Sequence, residues 1–123
     1  MKNIKNNIKI EATNLSIKFS VQKLNLVVNH IRNKNVYIAK LHLDFCNKAA
    51  AYYIKSILIS AVANSQHNFN LNVNNLFIQE IKISRISFLK RHRIRAKGKI
   101  NKILKPISKI TIILSTNITW DKK

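Results

Sequence analysis

The residues able to do chemistry in this 123-residue chain are overwhelmingly cations. It has 23 lysines and arginines against four carboxylates, a formal net charge of +19. The densest cluster is FLKRHRIRAKGK, residues 88–99, with six Lys or Arg and His92 as a further site for positive charge. No acid occurs between Glu80 and Asp121. Such a segment cannot neutralise itself, and a polyanion is the partner that would. Lysine and arginine neutralise phosphates and release counterions; arginine adds bidentate geometry and stacks on bases. Phe88 and His92 are of the types that stack on unpaired bases, although Phe88 suits ordinary strand packing equally well. An extended finger matches irregular RNA cavities, and no helix has the basic face expected of a major-groove reader, so RNA is favoured over DNA.

Other chemistry has little material. Glu11, Asp44, Glu80 and Asp121 are far apart in sequence, which is thin ground for paired carboxylates or an acidic divalent-metal site. His30, His42, His67 and His92 show no metal-ligand spacing, and Cys46 has no second cysteine to join it. There is no glycine-rich phosphate loop and no nucleophile elbow. The chain is therefore read as a non-enzyme with no cofactor and no metal, and a nuclease-like RNA processor is disfavoured. Cys46, near Leu43 and Phe45, reads as a buried thiol.

The length suits one domain, and 46% apolar residues suit a folded one. Asn, Ile and Lys, all with A/T-rich codons, make up nearly half the chain, which points to an AT-rich genome such as an organelle's or a reduced endosymbiont's. Some surface Asn and Lys then reflect mutation bias. The start, MKNIKNNIKI, has no apolar core of a secretory signal and no Arg/Ser pattern of a transit peptide. No apolar run is long enough to cross a bilayer. A cationic membrane-active protein is the rival reading, and it requires the basic segment to become helical on anionic lipid.

The elements that must position these charges follow from periodicity. Residues 13–19, TNLSIKF, alternate, with Leu15, Ile17 and Phe19 predicted on one face of a strand. Ser20 can cap a helix carrying Val21, Leu24, Val28 and Ile31 on one side. A short helix is predicted over 36–43. The strongest helix is predicted over 47–68, with Asn47 as N-cap. After an Asn-rich loop at 70–75 the period shifts toward two. LFIQEIKIS reads as a strand with Ile81 and Ile83 on one face, its alternation spoiled by Gln79. KITIILS, residues 109–115, is a second strand, and 116–123 reads as a frayed tail.

Between those strands Arg91, Arg93, Arg95, Lys97 and Lys99 occupy alternate positions. On a helix they would spread around the cylinder; on a strand all five share one face. The segment is therefore predicted to be extended, with Gly98 at a bend or a close approach of backbone. The simplest topology is a long hairpin leaving near Ile81 and returning by about Ile112, basic toward its tip. The expected layout is one domain over 1–123, with a body at about 10–80 and 110–116 and a hairpin at about 81–112.

Four segments, in order along the chain, resemble one family. SVQKLNLVVNHIRNK resembles the first helix of the large-subunit ribosomal proteins of the L twenty-two family. SILISAVANSQHN resembles its "SAIANAEHN" helix end, LKRHRIRAKGKINKI its "MKR…PRA.GR…RI" hairpin tip, and KPISKITIIL its closing strand. The likeness runs from about residue 14 to 115. It implies an α+β fold, three helices packed on a small antiparallel sheet with a long protruding β-hairpin. It further implies a protein that binds large-subunit ribosomal RNA, aids assembly, touches neighbouring ribosomal proteins, and lines the nascent-peptide exit tunnel with its hairpin tip. KLNLV and KPIS look like the alphaproteobacterial branch, which with the AT-rich composition suggests a mitochondrial matrix ribosome; a plastid or an AT-rich reduced bacterium is the alternative.

Position by position, the resemblance implies RNA contacts at Lys23, Arg32 and Lys34 around the first helix, and at Lys48, Lys55, Asn64, His67 and Asn68 on the long helix. On the hairpin it and the basic pattern together imply Lys90, Arg91, Arg93, Arg95, Lys97, Lys99 and Lys102, with Leu89, Lys90, Arg91, His92, Arg93 and Ile94 as the tunnel-proximal tip and nascent-peptide neighbour. Ile94 stands where the family has proline, Asn33-Lys34 where it has Gly-Lys, and Val21-Gln22 where it has Pro-Arg. Ile86 and Ser87 occupy positions that are usually small or glycine.

Overall fold

The computed structural model describes residues 8–116; most of the tail predicted over 116–123 lies outside them. The chain order is β1 (Lys9–Ile17), α1 (Val21–Val28), α2 (Val36–Phe45), α3 (Ala49–Phe69), β2 (Phe77–Ile94) and β3 (Ile100–Ser115), with short 3-10 turns at Val73–Asn75 and Ala96–Gly98. Among the described residues this makes three helices and one antiparallel sheet of order β1-β3-β2, the α+β arrangement expected.

Each helix forms for local reasons and is held by one apolar side. Ser20 caps α1 as predicted, its Oγ accepting from the Lys23 amide at 3.4 Å, and Leu24, Val27 and Val28 are buried. Asn35 caps α2, its Oδ1 accepting from the Tyr37 amide at 2.9 Å. The long helix starts one residue later than predicted: Lys48, not Asn47, holds the cap position, without a side-chain bond. The Ala51 amide bonds the Lys48 carbonyl at 3.1 Å, and burial of Ala50 and Ala51 holds the first turn. Asn70 ends α3 in the left-handed region (φ 50°), a conformation asparagine tolerates. Cys46, predicted buried, is half-buried, because α2 ends beside it.

The sheet supplies Ile10, Ala12, Ile17, Ile78, Ile81, Ile110, Ile112 and Leu114 to the core, against Ile54, Ile57, Leu58 and Ala61 of α3. Two irregularities set its facing. A register shift between Asn14 and Ile17 brings Ile17 to the side of Ile10 and Ala12, so Leu15 is 60% exposed rather than sharing a face with Ile17. Another at Gln79 lets Ile78 and Ile81 both point inward, which explains the broken alternation there.

A third shift, between Arg85 and Ser87, marks where the hairpin leaves the body. There β1 ends, with Ile17 opposite Ser108. Ser108 is fully buried and its hydroxyl donates to the Phe19 carbonyl at 2.6 Å. Beyond this point β2 and β3 continue alone as a two-stranded ribbon, roughly 30 Å long at the strand rise of about 3.3 Å per residue. The Arg32 guanidinium donates to the Ile81 carbonyl at 2.9 Å, tying the segment after α1 to the strand that becomes the hairpin.

Candidate nucleic-acid interface

The ribbon is built by cross-strand pairing alone. Residues directly opposite in an antiparallel ladder project to the same face, and faces alternate along each strand. One face therefore carries Phe88 with Pro106, Lys90 with Leu104, His92 with Lys102 and Ile94 with Ile100. The other carries Leu89 with Lys105, Arg91 with Ile103 and Arg93 with Asn101. Both faces are cationic and both carry apolar groups.

The prediction of five cations on one strand face fails at the turn. Arg91 and Arg93 share a face, but β2 ends at Ile94, so Arg95, Lys97 and Lys99 lie in the reversal. Lys97 and Gly98 both take positive φ, 61° and 69°, and the Arg95 amide closes the turn onto the Lys99 carbonyl at 2.7 Å. Only the glycine adopts that region without steric cost. The cations therefore spread around the apex instead of lining one side. The predicted tip, Leu89 to Ile94, forms the last stretch of β2 before the turn.

Between Arg85 and Ile107 the chain carries Arg85, Lys90, Arg91, Arg93, Arg95, Lys97, Lys99, Lys102 and Lys105 and no acid. Every one of those cations is exposed. Coulomb repulsion among them is unrelieved within the hairpin. The apolar groups between them are open too, with Ile94 82%, Ile100 63% and Leu104 54% exposed. A surface of alternating ammonium, guanidinium and aliphatic groups fits a phosphate backbone on the charges and base or ribose faces on the apolar groups.

The body's predicted contacts divide by internal partner. Lys23 and Lys48 are exposed at the starts of α1 and α3, and His67 and Asn68 are exposed in the last turn of α3. Lys55 forms an ion pair with Asp44, which satisfies part of its charge. Arg32 is half-buried with one donor on Ile81, and Asn64 Nδ2 donates to the Glu11 carbonyl at 3.4 Å. Lys34 Nζ donates to His42 Nε2 at 3.3 Å. The body residues are distributed over separate elements, whereas the hairpin residues are brought together by the ladder. Arg85 and Lys105 belong with the hairpin set although the motif comparison passes over them; the acid-free span from 81 to 120 is the signal that includes both. The Arg85 guanidinium lies 4.6 Å over the Phe88 ring at the ribbon's root.

Among the described residues no cluster of His, Cys, Asp and Glu is arranged to hold a metal ion. No described helix is long and apolar enough to cross a membrane. The basic segment is β-strand and turn, not the helix that the membrane-active reading requires.

Comparison with known proteins agrees with this geometry. Residues 12–115 match the model of the family described as ribosomal protein L22p/L17e. A large ribosomal subunit protein uL22 of Wolbachia pipientis is 44% identical over 105 residues, covering 85% of this chain and 90% of that protein. The uL22 of Blochmanniella pennsylvanica is 46% identical over 99 residues (80% and 91%), and that of Ehrlichia chaffeensis 38% over 109 residues (89% and 96%).

Proposed function

The chain belongs to the ribosomal protein L22p/L17e family, which is structural and not enzymatic, and from that premise we propose that it is a constituent of the large ribosomal subunit whose hairpin is an inserted RNA-binding wedge. One observation carries the reading: a two-stranded ribbon with nine exposed cations, no acid and no core of its own. Phosphate neutralisation supplies the affinity, and the turn between Ile94 and Ile100 supplies the shape. The exposed body cations Lys23 and Lys48, with Lys34, His67 and Asn68, hold the body on the RNA surface. Arg32, Lys55 and Asn64 contribute through whatever donors their internal partners leave free. The whole chain acts as one domain, body plus hairpin, and by bridging RNA segments it aids assembly.

In the family's terms, the stretch from Leu89 to Ile94 lines the nascent-peptide exit tunnel and neighbours the emerging chain. Its relatives named above are bacterial proteins. The AT-rich composition and the KLNLV and KPIS segments support a mitochondrial matrix ribosome, with a plastid or an AT-rich bacterial cytoplasm as the alternative. Detection of the chain in fractionated cells tests the compartment.

Cosedimentation tests the function. The chain is expected in large subunits at native salt, and its affinity for purified subunit RNA is expected to fall steeply as salt rises. Absence from the subunit, or a flat salt dependence, overturns the proposal.

A further inference from the structure

Aromatic side chains are few in this chain, three tyrosines, five phenylalanines and one tryptophan, yet three of them meet near the start of α3. Phe19, in the turn from β1 to α1, packs against the core. The Tyr53 ring stands 5.4 Å from it, centroid to centroid, at an interplanar angle of 61°. The Tyr52 ring stands 5.6 Å from that of Tyr53, at 85°. The three rings make an edge-to-face ladder from core to solvent, a contact with a preferred geometry. Tyr53 is 42% exposed and Tyr52 72%. The outer ring is thus steadied by a neighbour and otherwise open.

That support separates Tyr52 from the body's other open apolar groups. Leu26, Ile38, Leu41 and Ile59 are aliphatic and offer no π face. Tyr37 and Phe45 are exposed rings, but neither touches another ring among the described residues. A ring that is free to turn loses that freedom when a ligand stacks on it; a ring already fixed loses less.

The charge around the ladder selects the ligand. Lys48 precedes Tyr52 by four residues, about 6 Å along the axis of α3, and Lys18 adjoins Phe19. Both lysines are exposed, and neither is paired with a carboxylate among the described residues. The described carboxylates are engaged or elsewhere. Asp44 pairs with Lys55, Glu80 lies 4.0 Å from Lys82, and Glu11 is toward the far end of α3, where Asn64 bonds its carbonyl. An acidic peptide would satisfy the lysines and leave the ring unused; an aliphatic segment would do the reverse. A nucleotide uses both, stacking its base on the ring while the phosphate on the same sugar meets the lysine.

We propose that Tyr52 is a stacking platform for one unpaired base of the large-subunit RNA, with Tyr53 and Phe19 as positioning residues and Lys48 on the adjoining phosphate. This rests on the ribosomal reading above and adds to it a contact that is not electrostatic. Lysines neutralise phosphates wherever these run. A stacked base requires an unpaired nucleotide at one place, so Tyr52 fixes where the body sits on the RNA.

The test is the affinity of the full chain for purified subunit RNA at several salt concentrations. Tyr52→Leu is expected to weaken binding at least about fivefold. Its slope of log affinity against log salt is expected to match the wild type's, because no phosphate contact is lost. Tyr52→Phe keeps the ring and is expected to bind as the wild type does. Lys48→Gln is expected to lessen the slope by about 0.7. Unchanged affinity in Tyr52→Leu, a lessened slope in it, or an equal loss in Tyr52→Phe overturns the stacking proposal. A second measurement stands clear of folding, since short-wave ultraviolet light joins a base to the aromatic ring on which it stacks. In irradiated wild-type subunits the peptide holding Tyr52 is expected to carry a nucleotide. Adducts elsewhere in the chain with none on that peptide overturn the proposal alone. A wild-type chain that does not bind the RNA overturns the ribosomal reading and this proposal together.

Discussion

The body and the hairpin are made from one sheet by opposite means. In the body, β2 and β3 have β1 beside them and α3 over them, and Ile78, Ile81, Ile110, Ile112 and Leu114 are almost wholly buried. Past Ser108 the same two strands have no neighbour, and no hydrophobic residue from Ile86 to Ile107 is fully buried. The body is held by apolar area removed from water. The ribbon is held by its ladder, which in water is marginal for two strands alone. The difference teaches which region depends on what. The body has a filled core within the chain, while the hairpin has a backbone shape but no filled surface and no acid to balance its cations.

The largest effect should come from the body. Ile54 is fully buried in α3, between the sheet and the other helices. Ile54→Ala should cost about 2–5 kcal/mol. At several degrees per kcal/mol for a domain this size, the melting temperature should drop by at least about 8 °C by calorimetry or circular dichroism. A drop of only a degree or two would mean that the body is not held by this core, and the contrast between the regions would fail.

An intermediate effect tests how the hairpin is used. Its register divides the cations between two faces. Arg91→Gln, Arg93→Gln and Lys105→Gln together empty one; Lys90→Gln with Lys102→Gln takes the other down to Arg85 at the ribbon's root. At roughly 0.7 of a counterion per phosphate contact on non-duplex RNA, the slope of log affinity against log salt should lessen by about 2 for the first set and about 1.4 for the second. Both should leave the melting temperature nearly unchanged, since exposed substitutions sit within about 0.5 kcal/mol. If one set removes the whole dependence and the other none, the ribbon is a one-sided patch and not a wedge enclosed by RNA. Titrations of both variants against the purified subunit RNA at several salt concentrations decide it.

The two regions were also unequally legible in the sequence. The hairpin's existence was readable, because a period of two, flanking β-rich runs and a long acid-free span are local signals. Its facing was not. The turn depends on Lys97 and Gly98 taking positive φ together, and periodicity carries no mark of where a strand stops. Helix α1 was readable down to its Ser20 cap, because capping is a contact between near neighbours. By contrast the facing of Leu15 does not follow from the alternation, since the shift between Asn14 and Ile17 is set by pairing with β3, nearly a hundred residues away. Gln79 showed the complementary case, where the alternation broke visibly and the break is the bulge itself. Within the candidate site, cation identity was legible. The internal partners of Arg32, Lys55 and Asn64 were not, because each comes from another element.

The smallest effect is the most local and asks how independent the ribbon is. Gly98 sits at φ 69° with nothing within 4 Å of where a Cβ would be, so Gly98→Ala meets no clash with neighbours and pays only the left-handed backbone strain. That strain is about 1–2 kcal/mol. Lys97 already bears the same strain next to it, so a second strained residue should loosen the turn instead of reshaping the strands. The Arg95 amide, bonded to the Lys99 carbonyl, is the reporter. Its hydrogen exchange should speed up at least about fivefold, the factor that 1 kcal/mol represents. Exchange of amides in α3 and the body's melting temperature should not move. If body amides quicken as well, strain at the apex reaches the core through the ladder, and hairpin and body unfold as one cooperative unit. If only Arg95 and its neighbours respond, the turn is free to change shape without cost to the fold that carries it.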